Sequence, residues 1–133
     1  MGKLKMTICA SKDSFGAYSE NCDGIWAAGD TVEQCKADVL KVIGIYKKDY
    51  PEERWPEPLK GEVEIEWAYD AESFMLYYGS LLSLSGLERI TGIHQKQLWA
   101  YMHGRSKPRQ AQKGKIIDAM HKFARELAAA RIL

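Results

Sequence analysis

From Asp70 onward the hydrophobic period of the chain is helical, about 3.6 residues, and stays so, whereas before it strand alternation of period two surrounds a single helical stretch. No single sheet or bundle accommodates both sides of that change. Before it, Leu4, Met6, Ile8 and Ala10 alternate with more polar neighbours, as on a strand with one face buried. After a polar turn at residues 11–14, residues 15–20 and 24–28 read as a second and a third strand. Glu62-Val63-Glu64-Ile65-Glu66-Trp67 alternates strictly and reads as the last strand, with three glutamates on its solvent side. Beyond Asp70 the apolar residues recur at helical steps: Phe74, Tyr77, Tyr78, Leu81 and Leu82; then Leu87, Ile90, Ile93, Leu98 and Tyr101; then Ile116, Met120, Phe123 and Leu127. The pattern predicts an α+β chain. Residues 1–69 form a small antiparallel sheet packed by one helix, and residues 70–133 form an all-α domain.

Punctuation residues support that division. Asp30-Thr31-Val32-Glu33 has a capping residue followed three positions later by a carboxylate, and Val32, Cys35, Val39, Val42, Ile43 and Tyr46 follow at helical spacing, so a helix is expected over 31–48. Pro51, Pro56 and Pro58 make residues 49–61 a connecting loop. In the second half Asp70 is placed to cap one helix and Ser85, with Glu88 three residues on, another. A long helix is expected from about Pro108 to Arg131.

Charge is divided as sharply as periodicity. Residues 84–133 hold 10 Lys or Arg against 3 Asp or Glu, a net +7, whereas residues 1–83 hold 9 against 15, a net −6. Phosphate neutralisation needs a concentrated positive field, so the C-terminal part is the one suited to a polyanion; solvated helices with clustered charge are the plainer alternative. No apolar run of signal length follows the basic start, and nowhere do 18 apolar residues run consecutively, which reads as a cytoplasmic protein without a membrane partner. Cys9, Cys22 and Cys35 cannot all pair internally and lack ligand spacing. They read as reduced thiols, with Cys9 and Cys35 semi-buried.

Within the basic half, residues 87–101 have the spacing of two short helices crossing at a tight turn, with Gly92 where the chain bends. The second helix starts near His94 and stops before Gly104. Burying Ile93, Leu98 and Tyr101 turns polar side chains outward, and in a helix-turn-helix that face enters the major groove of double-stranded DNA. The base-reading candidates are His94, Gln95, Lys96, Gln97, Trp99 and Ala100, since Gln can pair bidentately with adenine and Lys can donate to guanine. Ser85, Arg105, Lys107 and Arg109 are candidates for phosphate. Trp99 reads equally as a packing or dimer-contact aromatic. Glu88 departs from the motif, which holds a small residue against the turn; its carboxylate either leans outward as a cap partner or weakens the assignment.

Catalytic signatures are weak. Asp13, Asp23 and Asp30 sit at turns and loop ends, where their usual work is turn formation or capping rather than metal binding. His94, His103 and His121 lack a common face with a third ligand, and read as a helix cap, a C-terminal dipole partner and a surface residue. No glycine-rich phosphate loop or nucleophile elbow occurs. The expectation is a binder, not an enzyme, with no cofactor and no metal.

Residues 13–46, DSFGAYSENCDGIWAAGDTVEQCKADVLKVIGIY, resemble the HicB antitoxin domain: a strand pair, a Gly-rich third strand, then Gly-Asp-Thr-x-Glu opening a helix. Residues 82–108, LSLSGLERITGIHQKQLWAYMHGRSKP, are similar to the helix-turn-helix tail of some HicB proteins. The resemblance implies an antitoxin of a type II toxin-antitoxin system. Residues 1–69 would be a partial ribonuclease H-like domain that covers a small, basic HicA-like messenger-RNA interferase, and residues 70–133 would repress the operon, with His94 to His103 as the DNA-reading helix. One recognition helix spans too few base pairs for specificity, so a homodimer or higher homo-oligomer is expected. Glu62, Glu64 and Glu66 are candidates for toxin binding by charge complementarity, or simply a solvated strand face. The competing expectation is a stand-alone transcriptional regulator whose N-terminal domain senses a ligand or only dimerises.

Overall fold

The computed structural model describes residues 2–133, which divide into two compact units, one up to Ser73 and one from Phe74 to Leu133. The division falls within a few residues of the change in period. It lies inside a helix rather than in a linker.

In the first unit, β1 (Leu4–Ala10), β2 (Phe15–Ser19), β3 (Trp26–Gly29) and β4 (Ile65–Tyr69) form one sheet in the order β3-β2-β1-β4. β1 pairs antiparallel with β2 and β2 with β3, but β4 runs parallel to β1, so the sheet is mixed rather than antiparallel. The reason is the crossover: an 18-residue helix, α1 (Val32–Asp49), returns the chain to the same end of the sheet, and a strand entered after such a crossover lies parallel to its neighbour. β4 is also displaced toward Tyr69 from the expected 62–67, because Leu4 of β1 pairs with Ile65.

Alternation decides which face is buried. Leu4, Met6 and Ile8 are fully buried, as are Val32, Cys35 and Val39 of α1, while Ala17 and Ala27 are small where the helix approaches. Thr31, not Asp30, caps α1: its hydroxyl accepts from the Gln34 N–H at 3.0 Å, and the Gln34 side chain accepts from the Asp30 N–H. The capping box is therefore offset by one residue from the expected one. Between α1 and β4 the prolines are not plain loop, since residues Glu52–Arg54 and Glu57–Leu59 each form a 3₁₀ turn, the second of which buries Leu59.

All three cysteines are free thiols, Cys9 half-buried and Cys22 and Cys35 buried. Burial pushes each thiol above its ordinary value of 9.0, helped by Asp70 for Cys9, Asp23 for Cys22 and Asp38 for Cys35. The folded state thus favours the protonated thiol. That contribution is complete below pH 9.0 and is lost as the pH rises through the folded values. At neutral pH, Cys22 and Cys35 should react with iodoacetamide far more slowly than in urea, which mass spectrometry of timed quenches would reveal; equal rates would contradict their burial.

The second unit holds α2 (Ala71–Leu82, whose first turn belongs to the first unit), α3 (Leu84–Thr91), α4 (Gln95–Met102) and α5 (Gln110–Ala129). Asp70 caps α2 by accepting from the Ser73 N–H at 2.7 Å. Met75, Leu87, Ile93, Leu98, Tyr101, Ile116 and Met120 form the core, with Phe74, Tyr78, Leu82 and Met102 packed against it. Two residues expected inward are not: Leu81 is 62% exposed, on the side of α2 away from its packed neighbour Leu82, and Leu127 is 63% exposed, past the last covered turn of α5. α5 begins at Gln110, not Pro108, because Arg109 takes the extended N-cap conformation.

Candidate nucleic-acid interface

Ser83, rather than Ser85, starts α3. Its hydroxyl accepts from the Gly86 N–H at 3.1 Å, and it holds a positive φ of 65°, a conformation otherwise limited to glycine among the described residues. Leu87 and Thr91 face inward, and the Thr91 hydroxyl closes the last turn by donating to the Leu87 carbonyl (2.7 Å) while accepting from the Ile93 N–H (3.1 Å). Gly92 makes the bend at φ 74°, with its N–H on the Glu88 carbonyl at 2.8 Å.

Glu88 resolves its departure from the motif by serving the next helix. Its carboxylate accepts from the Gln95 N–H at 2.9 Å, satisfying one of the free donors of α4 and placing negative charge at that helix's positive end. His94 supplies the second cap, Nδ1 accepting from the Lys96 N–H at 3.1 Å. Glu88→Ala should therefore cost about 1 kcal/mol and fray the start of α4. Glu88→Gln, which keeps the acceptor, should recover most of it; hydrogen exchange at Gln95 and Lys96 distinguishes the two.

Because Leu98 (0% exposed) and Tyr101 (5%) lock the inner face of α4, the outer face is fixed by helical geometry. Lys96 is exposed, Trp99 is 43% exposed, and His103 lies one turn further along the same stripe. The Trp99 and His103 rings stack at 4.1 Å, and the Arg105 guanidinium lies 5.7 Å from the Trp99 ring centre. His103 also contacts the Trp99 carbonyl at 2.9 Å, a C-terminal role. The result is an aromatic and cationic ridge of Lys96, Trp99, His103 and Arg105.

The other base-reading candidates are less available. Gln95 and Ala100 are half-buried at the flanks, and Gln97 is half-buried with its amide 3.5 Å from the Ser106 hydroxyl. His94 is exposed but already commits one ring nitrogen to capping. Among the phosphate candidates, Arg105, Lys107 and Arg109 are exposed while Ser106 and Pro108 between them turn inward, so the link between α4 and α5 presents a row of cations. Ser85 is exposed, with its hydroxyl 3.3 Å from that of Ser83. His103, expected as a C-terminal dipole partner at the end of this helix, is the addition to the outer stripe; its four-residue offset from Trp99 was the available signal.

In the first unit, Glu62, Glu64 and Glu66 are all exposed, but only Glu66 lies within a strand. Asp13, Asp23 and Asp30 are exposed and dispersed, and among the described residues no three His, Cys, Asp or Glu side chains group as a metal site. No helix among the described residues is long and apolar enough to cross a membrane. Comparison of the chain with protein-family models, with curated proteins and with solved structures finds no match.

Proposed function

We propose that this chain is a DNA-binding antitoxin and autorepressor: its second unit binds operator DNA as a symmetric dimer, and its first unit neutralises a small, basic HicA-like messenger-RNA interferase. One observation carries the first part. The inner face of α4 is fixed in the core while Lys96, Trp99 and His103 form its outer stripe, next to the exposed row Arg105, Lys107 and Arg109. A helix presented this way, flanked by cations, has the composition needed to enter a major groove and hold register on phosphates. The unequal charge of the two halves supports the second part, since a basic toxin favours an acidic partner. The succession of two paired strands, a third strand and a capped helix agrees with the pattern on which the HicB resemblance rests.

The two classes of contact should separate in gel-shift titrations at two salt concentrations. Lys96→Ala should reduce the preference for the operator over random duplex by about 1–3 kcal/mol. Arg105→Ala should weaken binding to every duplex and lower the salt slope by about 1. Identical behaviour of the two variants would remove the division of roles. Co-purification with the product of a neighbouring open reading frame tests the antitoxin half: a short basic ribonuclease captured and inhibited supports it, and a neighbourhood without one favours a stand-alone regulator.

A further inference from the structure

The sheet of the first unit has a second face that α1 does not cover. With Leu4, Met6 and Ile8 turned toward the helix, the register puts Trp26, Tyr18, Thr7 and Ala68 in one row across the opposite side, one residue from each strand. Ala28, Gly16 and Cys9 make the row beside it. Trp26 is 71% and Tyr18 49% exposed, so two large aromatics stand over a floor of small residues. Such a surface is flat, apolar and anchored by the residue types that dominate binding energy at interfaces.

Its border carries two carboxylates, Glu20 and Glu66, on either side of Lys5. The Glu20 carboxylate accepts from the Thr7 hydroxyl at 3.0 Å, which holds it on this face, and Glu66 follows by alternation opposite Lys5. The unit as a whole carries 15 Asp or Glu against 9 Lys or Arg over residues 1–73. The free edge of β3 is partly closed to an added strand, because Asp38 of α1 accepts from the Ala28 N–H at 3.0 Å. A partner is therefore directed to the face and not to that edge.

We infer that the Trp26–Tyr18 face of the sheet is a docking surface for a cationic polypeptide that lays an Arg or Lys side chain over the aromatic pair and presents further cations to Glu20 and Glu66. Aromatic faces attract guanidinium and ammonium groups, and the flanking carboxylates both steer the partner and exclude acidic competitors. The inference deepens the antitoxin reading, on which it rests for the partner's identity; it moves the contact from the glutamate row 62, 64 and 66 to a platform that shares only Glu66 with it.

The test uses the full chain labelled for NMR and titrated with a short peptide alternating arginine and leucine, the glutamate-for-arginine peptide, and a short oligouridylate. The arginine peptide should shift the amides of Thr7, Tyr18, Trp26 and Ala68 and the Trp26 indole, whereas the glutamate peptide should leave them in place. Trp26→Ala, at a position exposed enough to spare the fold, should weaken the arginine peptide about tenfold, the scale of a well-placed cation–π contact with its apolar area. Glu20→Gln combined with Glu66→Gln should also weaken it and flatten the salt dependence, while the new side-chain amide oxygen at position 20 still accepts from Thr7. Shifts confined to other carboxylates such as Glu52 and Glu57 would overturn the assignment. Equal shifts with oligouridylate would make the face a base-stacking surface, and concentration-dependent shifts without any probe would make it a self-association surface; either result overturns the proposal. A neighbourhood lacking a basic ribonuclease defeats the antitoxin reading while leaving cation docking measurable, so the two failures are distinguishable.

Discussion

Leu98→Ala is expected to destabilise the second unit by about 2–5 kcal/mol and, with it, to remove the DNA binding proposed for that unit. Leu98 is fully buried in the cluster that joins α3, α4 and α5, and it is the residue that turns the opposite face of α4 outward. Removing it leaves a cavity among Leu87, Ile93, Tyr101 and Ile116 that a close-packed interior of this size cannot collapse fully to fill. Urea unfolding with hydrogen exchange at the α3 and α4 amides would measure the loss. Lys96→Ala, on the exposed side of the same helix, should leave amide protection unchanged while losing the operator preference proposed for it. If Leu98→Ala cost less than about 1 kcal/mol, the packing described for this unit would be wrong.

The second large effect is a sign reversal between two glycine-to-alanine changes in the first unit. A Cβ at Gly29 would sit 2.5 Å from the Cys35 nitrogen and 2.8 Å from the Gln34 carbonyl carbon, both backbone atoms of the first turns of α1. Backbone cannot swing aside as a side chain does. Gly29→Ala should therefore cost about 3 kcal/mol, at the upper end for overpacking, by lifting α1 from β3. Gly44 lies exposed in the same helix, and a Cβ there meets nothing within 4 Å. Gly44→Ala should stabilise by about 0.5–1 kcal/mol, since alanine loses less backbone entropy in a helix. Thermal unfolding of both variants beside the parent checks the pair, and a shift of the same sign in both would contradict the close approach at Gly29.

Much of the architecture was legible because it depends on local pattern. Strand alternation through Leu4, Met6 and Ile8, the helical spacing from Val32 to Ile43, and the glycines at 92 and 104 each report a conformation that neighbours in sequence impose. The errors have a common origin in choices among equally suitable local groups. Thr31 and Asp30 are both capping residues, as are Ser83 and Ser85, and which one is used depends on where the packed face of the helix begins. Leu127 continues the apolar spacing of its helix past the last covered turn, and of the adjacent Leu81 and Leu82 only the second packs; periodicity cannot say where a partner ends or which of two neighbours meets it.

The outer face of α4 shows the same limit on a smaller scale. Adjacent Gln95, Lys96 and Gln97 look equivalent as a polar row, yet consecutive helical residues point about 100° apart, so Lys96 projects while both glutamines lie at the flanks. Glu88 is an anomaly in one dimension. Only when the turn at Gly92 brings α4 back beside α3 does its carboxylate reach the Gln95 N–H.

By itself the sequence determined the change of pattern near Asp70, the sign of charge on either side of it and the inward residues of most helices, because these follow from periodicity and composition, which need no knowledge of distant contacts. Tertiary structure decided the parallel pairing of β4 with β1, the Trp99–His103–Arg105 stack and the Trp26–Tyr18 row across the open face of the sheet. Each of these depends on register or on chain reversal. A one-residue slip in pairing exchanges the two faces of a strand, so neighbours across a sheet exist only once its register is set.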